Sequence, residues 1–111
     1  MSDLPSSTAI FQLQGRLDSA AAPARERDLQ ALFTSGTVHL VIDLTEVTYL
    51  SSAGLRVLLM AAKGCRSAGG QAALVGPQEG VSQVLQMSGF DRLLRVFSDR
   101  ESALASLPST P

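Results

Sequence analysis

Few side chains in this 111-residue chain could do covalent chemistry, so their spacing can be weighed residue by residue. There is one histidine, His39, and one cysteine, Cys65. A single histidine and a single cysteine do not make a multi-ligand zinc site. Histidine catalysis needs a positioned partner, and His39 falls inside the apolar run "TVHLVIDL", which reads as a buried strand. It is expected to be structural. Cys65 follows Leu55, Leu58, Leu59 and Ala62 at helical spacing. No basic residue is placed to lower its pKa, so packing is its expected role. Ser51 and Ser52 lack the G-x-S-x-G setting of a hydrolase nucleophile. The glycines of "SAGGQ" follow a helical pattern and precede a strand, the reverse of a phosphate-cradling loop, and are read as a helix end. These residues predict no catalytic residue, no metal site and no cofactor.

What remains is the corner "TYLSSAGLRVLL", residues 48–59, where Ser51-Ser52-Ala53-Gly54 separate two apolar runs. The plain reading is a serine cap on the helix that follows, worth about 1 kcal/mol. The same geometry also suits an anion. A helix N-terminus offers unpaired N–H donors and a partial positive charge. A phosphoserine there would add about −1.5 to −2 charge without melting the helix. A flush Ser-Ala-Gly surface would let a partner approach closely when unmodified.

The elements that position this corner follow from periodicity. "TAIFQLQG" alternates Phe11 and Leu13 with Gln12 and Gln14, a half-buried strand stopping at Gly15. A helix follows from about Ala21 or Ala22, with Asp18 or Ser19 as cap, Pro23 in its first turn and Leu29, Leu32 and Phe33 on its apolar face. The next strand carries Val38, Leu40, Val41, Ile42 and Leu44, and "TEVTY" reads as a connection. The central helix then buries Leu55, Leu58 and Leu59. "QAALVG" is a third strand, Val81, Val84, Leu85 and Met87 lie on a short helix, and "LLRVF" is a fourth strand. In "SDRESALASL", Ser98 and Glu101 form a capping-box pattern. The alternation of strand and helix predicts an α/β domain with a mixed or parallel sheet.

Composition bounds the partners. The chain is 45% hydrophobic and 17% charged, with nine Lys+Arg against ten Asp+Glu. A net charge of −1 provides no field for nucleic acid and no basic tract for a membrane surface. "MSDLPSSTA" lacks a secretory pattern, and no apolar run approaches the roughly 20 residues of a membrane span. A cytoplasmic domain without membrane insertion is expected, with flexible ends at 1–7 and 108–111.

At the corner the sequence resembles the STAS domain family, in particular the bacterial anti-sigma factor antagonists. "VIDLTEVTYLSSAGLRVLL" is similar to the family signature, and "GRLD" at 15–18, "AGGQAALVG" and "VLQMSGFDRLLRVF" match other family segments in order. The resemblance covers residues 8–107. It implies a single α/β domain with a mixed sheet of about four strands and helices packed against it. It implies a non-enzymatic partner switch. The unphosphorylated form binds an anti-sigma factor serine kinase with a histidine-kinase-like ATPase fold, phosphorylation releases it, and a metal-dependent serine phosphatase resets it. The resemblance places the phosphoacceptor at Ser52, with Ser51 as second choice. Ser51 stands where the family has an acidic residue, and Ala53 where it has a second hydroxyl. Asp18, Ser51, Ser52, Ala53, Gly54 and Arg56 are the implied partner-binding residues, and Asp43 is placed near the same edge. Two rival readings are a phosphorylation-independent module, such as the soluble subunit of a lipid ABC transporter, and a small-molecule- or nucleotide-binding module.

Overall fold

A computed structural model describes residues 7–108. The ends expected to be flexible lie outside these residues, apart from Ser7 and Pro108. In chain order the elements are β1 (Thr8–Leu17), α1 (Ala22–Thr34), β2 (His39–Leu50), α2 (Ser52–Ser67), β3 (Ala72–Val75), α3 (Glu79–Ser88), α4 (Phe90–Leu93), β4 (Arg95–Phe97) and α5 (Arg100–Ser106). The sheet order is β1-β2-β3-β4, and each neighbouring pair is parallel. Helical crossovers join the successive strands, as parallel pairing demands. The α/β expectation holds. The resemblance implied a mixed sheet, whereas every strand pair among the described residues is parallel.

The two faces of the sheet are covered unequally. On β2 and β3, Leu40, Ile42, Leu44 and Leu74 face the larger core with α1, α2 and α3. Their alternates Val41, Ala73 and Val75 face a smaller core closed by Ala103 of α5. Period-two alternation with apolar residues on both sides marks strands buried on both faces.

The sequence reading ended β1 at Gly15 and treated 45–49 as a connection. Both strands run further. From Gln12 to Gln14 on β1, two steps match three on β2 (Asp43 to Glu46), and the register slips again between Gly15 and Arg16. Each bulge adds a residue to β2, so its inward positions become Leu44, Val47 and Leu50, three apart. Gly15 adopts φ +71 at the second slip. That left-handed conformation lets β1 resume and bring Leu17 back into the core.

Helix α2 is also turned relative to expectation. Its buried residues are Gly54, Val57, Leu58, Ala61 and Cys65, while Leu55 and Leu59 are only half-buried. Leu58 is buried as expected, and glycines stand where the helix backbone approaches its neighbours closely. A Cβ on Gly64 would lie 2.3 Å from the Phe33 ring of α1. Met87 lies on α3 as expected and is 89% exposed. Asp99, not Ser98, caps α5: its carboxylate accepts from Ser102 N–H at 2.7 Å, and the Ser98 hydroxyl donates to it. Asp99 directly precedes the first helical residue, which is where a cap must stand. The short α4 has no counterpart in the sequence reading.

Candidate functional site

The corner forms where the last residues of β1 and β2 pair, Leu17 with Leu50, and the chain turns into α2. The Leu17 carbonyl organises it. Ser51 N–H donates to that oxygen at 3.1 Å and the Ser51 hydroxyl donates to it at 3.2 Å. The same hydroxyl oxygen accepts from Gly54 N–H at 3.3 Å, and the Ser51 carbonyl accepts from Leu55 N–H at 2.9 Å. Ser51 is therefore a fixed N-cap that ties α2 to β1, and its hydroxyl both donates and accepts.

Ser52 is the next residue and the first of the helix. It is exposed, and its hydroxyl makes no hydrogen bond among the described residues. The N–H groups of Ser52 and Ala53 occupy the first two helical positions, which have no acceptor within the helix. No acidic residue lies in this first turn, so the positive end of the helix dipole is uncompensated there. Ala53 is half-buried against the core, and Arg56 is exposed one turn further on.

Gly54 is buried for a steric reason. A Cβ at this position would lie 2.4 Å from the Leu17 carbonyl oxygen and 2.7 Å from Leu50 Cδ1. The helix can sit this close to the end of β1 only without a side chain.

Asp18 lies beside this junction but is committed locally. Its Oδ1 accepts from Ala20 N–H at 3.1 Å and Ala21 N–H at 3.2 Å, and Arg16 Nε approaches Oδ2 at 3.4 Å. The Ala21 N–H bond is the chief reason its carboxyl lies below the usual value; desolvation opposes it, and the Ala20 N–H and Arg16 add to the lowering. This Asx turn leads into α1, whose own first turn has no side-chain cap.

Two neighbours were missed by sequence reasoning. Arg16 stacks over the Tyr49 ring at 4.2 Å, and the two are register partners one position before Leu17 and Leu50. Tyr49 is 44% exposed. The available signal was the chain's single tyrosine just ahead of the serines. Reading 45–49 as a connection hid its strand position.

Asp43 is not part of the corner, because β2 continues well past it. It is buried and accepts from Thr45 N–H at 2.9 Å, Thr45 Oγ1 at 2.6 Å and Arg100 Nε at 2.6 Å, while Arg100 also donates to Gln12. Burial raises its pKa, but the bonds from Thr45 and Arg100 outweigh this and hold it below the usual value. This network anchors α5 to the sheet. His39 is structural as expected: it is buried, with Nδ1 accepting from Gln71 N–H at 3.0 Å. Cys65 is buried, and burial pushes its thiol up to about 11.

A small exposed serine beside a fixed cap, at the end of two paired strands, can be modified or docked against. The family model that matches residues 3–103 is the STAS domain. The chain belongs to the STAS domain family. It is 39% identical over 97 residues to a Bordetella bronchiseptica protein provisionally named the anti-sigma factor antagonist BtrV, covering 87% of this chain and 84% of that one. It is 28% identical over 82 residues to the anti-sigma-B factor antagonist of Listeria monocytogenes, covering 74% and 72%. A Thermotoga maritima crystal structure, also provisionally named an anti-sigma factor antagonist, superimposes with a TM-score of 0.87 at 23% identity over 95% of this chain and 91% of that chain. As a STAS domain of this kind the chain is a binding module and not an enzyme. No helix among the described residues is long and apolar enough to cross a membrane.

Proposed function

We propose that this STAS domain is an anti-sigma factor antagonist that works as a partner switch controlled at Ser52. The unphosphorylated corner docks on an anti-sigma factor that is also a serine kinase of histidine-kinase-like ATPase fold. Transfer of phosphate to Ser52 ends the complex, and a metal-dependent serine phosphatase restores it. The cytoplasm is where such partners meet.

One observation carries this reading: two adjacent serines are in opposite situations. The Ser51 hydroxyl is spent on the Leu17 carbonyl and Gly54 N–H, whereas the Ser52 hydroxyl is exposed and unbonded. A kinase can reach Ser52 without dismantling the cap. The relatives named as antagonists support the general role. In this reading Asp18, Ser51, Ala53 and Arg56 are the docking surface beside the acceptor, with the exposed Arg16–Tyr49 stack extending it along the strand ends; Gly54 is buried and shapes this surface without being exposed on it.

Phosphate at Ser52 would sit at the positive end of α2, where an anion is worth about 0.3–1 kcal/mol to the helix. The free protein would not be destabilised. The loss falls on the complex, where a charge of about −1.5 to −2 must be desolvated. The test is incubation with the histidine-kinase-like ATPases of the same organism and ATP, followed by mass mapping and a binding assay. Phosphate on Ser52, and lost binding in Ser52→Asp, are expected. No modification at Ser52 together with wild-type binding by Ser52→Asp refutes the switch.

A further inference from the structure

The opposite end of α2, about 21 Å from Ser52 at 1.5 Å per residue, borders a half-open cavity of about 250 Å³. It lies between the last turns of α2, the starts of β3 and β4, and the end of α5. Its apolar wall includes Leu59, Leu94 and Leu107. Leu93, 43% exposed, stands at the same wall. Lys63, Arg66 and Arg95 also line it, and no aspartate or glutamate does. Lys63 and Arg66 make no ion pair or hydrogen bond with any described residue, and Arg95 has only the Phe97 ring at 5.0 Å.

Neither the fold nor the corner accounts for this combination. A cation in the last turn of α2 complements the helix dipole, which explains Arg66 alone. Lys63 lies further back on the helix, and Arg95 comes from the edge strand. Leu59 is on the helix register that the sequence assigned to the core, yet it is half-buried because this space lies beside it. Three cations from two elements around an apolar recess match a ligand with an apolar body and a negative head.

We propose that this cavity binds a small amphipathic anion, its tail against Leu59, Leu94 and Leu107 and its head among Lys63, Arg66 and Arg95. At roughly 30 Å³ per water-sized group, the space takes about eight non-hydrogen atoms. A medium-chain carboxylate has that size and shape. The site is independent of the Ser52 switch.

The test is an amide chemical-shift titration of the 15N-labelled chain with three probes: sodium octanoate, octylammonium chloride and inorganic phosphate. Octanoate is expected to give saturable shifts centred on Leu59, Lys63, Ala73, Leu94 and Leu107, with a Kd of about 0.1–1 mM. Octylammonium shares the tail and inverts the charge, and phosphate has charge and no tail, so neither should saturate. Lys63→Gln, Arg66→Gln and Arg95→Gln alter exposed side chains and should each weaken octanoate by up to about fivefold, with the fold confirmed by the unchanged remainder of the spectrum. Octanoate shifts that fail to saturate by about 10 mM, or that centre elsewhere, overturn the proposal. So does equal binding of either control probe, or wild-type affinity in the variant that combines Lys63→Gln, Arg66→Gln and Arg95→Gln.

Discussion

Replacing Gly54 with alanine pits helix propensity against packing, and the two predict opposite signs. In a helix interior alanine is favoured over glycine by about 0.8–1 kcal/mol. In this position its Cβ would lie 2.4 Å from the Leu17 carbonyl oxygen. Carbon and carbonyl oxygen come into contact near 3.3 Å, so helix and strand must separate by about 1 Å. The displaced oxygen is the one that accepts from both the N–H and the hydroxyl of Ser51, at 3.1 and 3.2 Å. Weakening those two bonds costs about 1–2 kcal/mol, and overpacking against Leu50 about 1–2 more. Net of propensity, Gly54→Ala should destabilise the domain by about 1–3 kcal/mol, lowering Tm by roughly 4–12 °C. Gly80 is the control, since a Cβ there meets nothing within 4 Å. Gly80→Ala, also helical, should be neutral or stabilising. Thermal and urea unfolding followed by circular dichroism would measure both. A Tm for Gly54→Ala at or above wild type would refute the idea that this glycine is kept for close approach.

Ser51→Ala should cost about 1–2 kcal/mol in urea unfolding, because it removes the cap on Gly54 N–H and a donor to Leu17; Ser52→Ala should change stability by less than about 0.5 kcal/mol. Asp43, held below the ordinary carboxylate value of 3.8, stabilises the fold fully above that value. The contribution is lost as pH falls through its lower folded-state value, so the urea midpoint should fall less steeply below about pH 4 in Asp43→Asn than in wild type. Equal slopes would show that Asp43 does not drive the acid limb. Cys65, with its thiol raised to about 11 by burial, should react with thiol reagents only as the domain opens, in step with urea unfolding. Rapid labelling of the native protein would contradict its place in the core.

The main alternation of strand and helix was legible because Phe11, Leu13 and the run from Leu40 to Leu44 obey simple periods. The second half of β2 was not, because two bulges turn period two into period three and present Val47 and Leu50 as if in a loop. The buried face of α2 was misjudged for a different reason. Leu58 and Cys65 are buried as expected, but Leu55 and Leu59 are only half-buried, and Gly54, Val57 and Ala61 share the deep face in their place. Hydrophobicity ranks residues by size, whereas close backbone approach selects against it. Asp43 was placed near the corner because the strand was expected to end close to it, whereas β2 runs on to Leu50. The partner of Asp43, Arg100, is far along the chain, and no local pattern announces that pair.

On the proposed switch, the corner separates two tasks that a single serine could not perform together. A capping hydroxyl must stay bonded to hold the helix, and an acceptor hydroxyl must be free to attack a phosphoryl group. Ser51 carries the first task with bonds to Leu17 and Gly54, and the adjacent Ser52 is left unbonded at the surface. Gly54 makes the division possible, since its missing side chain brings α2 close enough for Ser51 to reach the Leu17 carbonyl. With no carboxylate in the first turn, the helix end retains its full attraction for an anion. Modification at Ser52 is therefore compatible with an intact fold, and its effect must fall on whatever docks over the corner. Modification at Ser51 would instead break the cap and press a charge against the Leu17 oxygen, coupling signalling to unfolding. The physical chemistry of the corner favours the serine whose change leaves the domain standing.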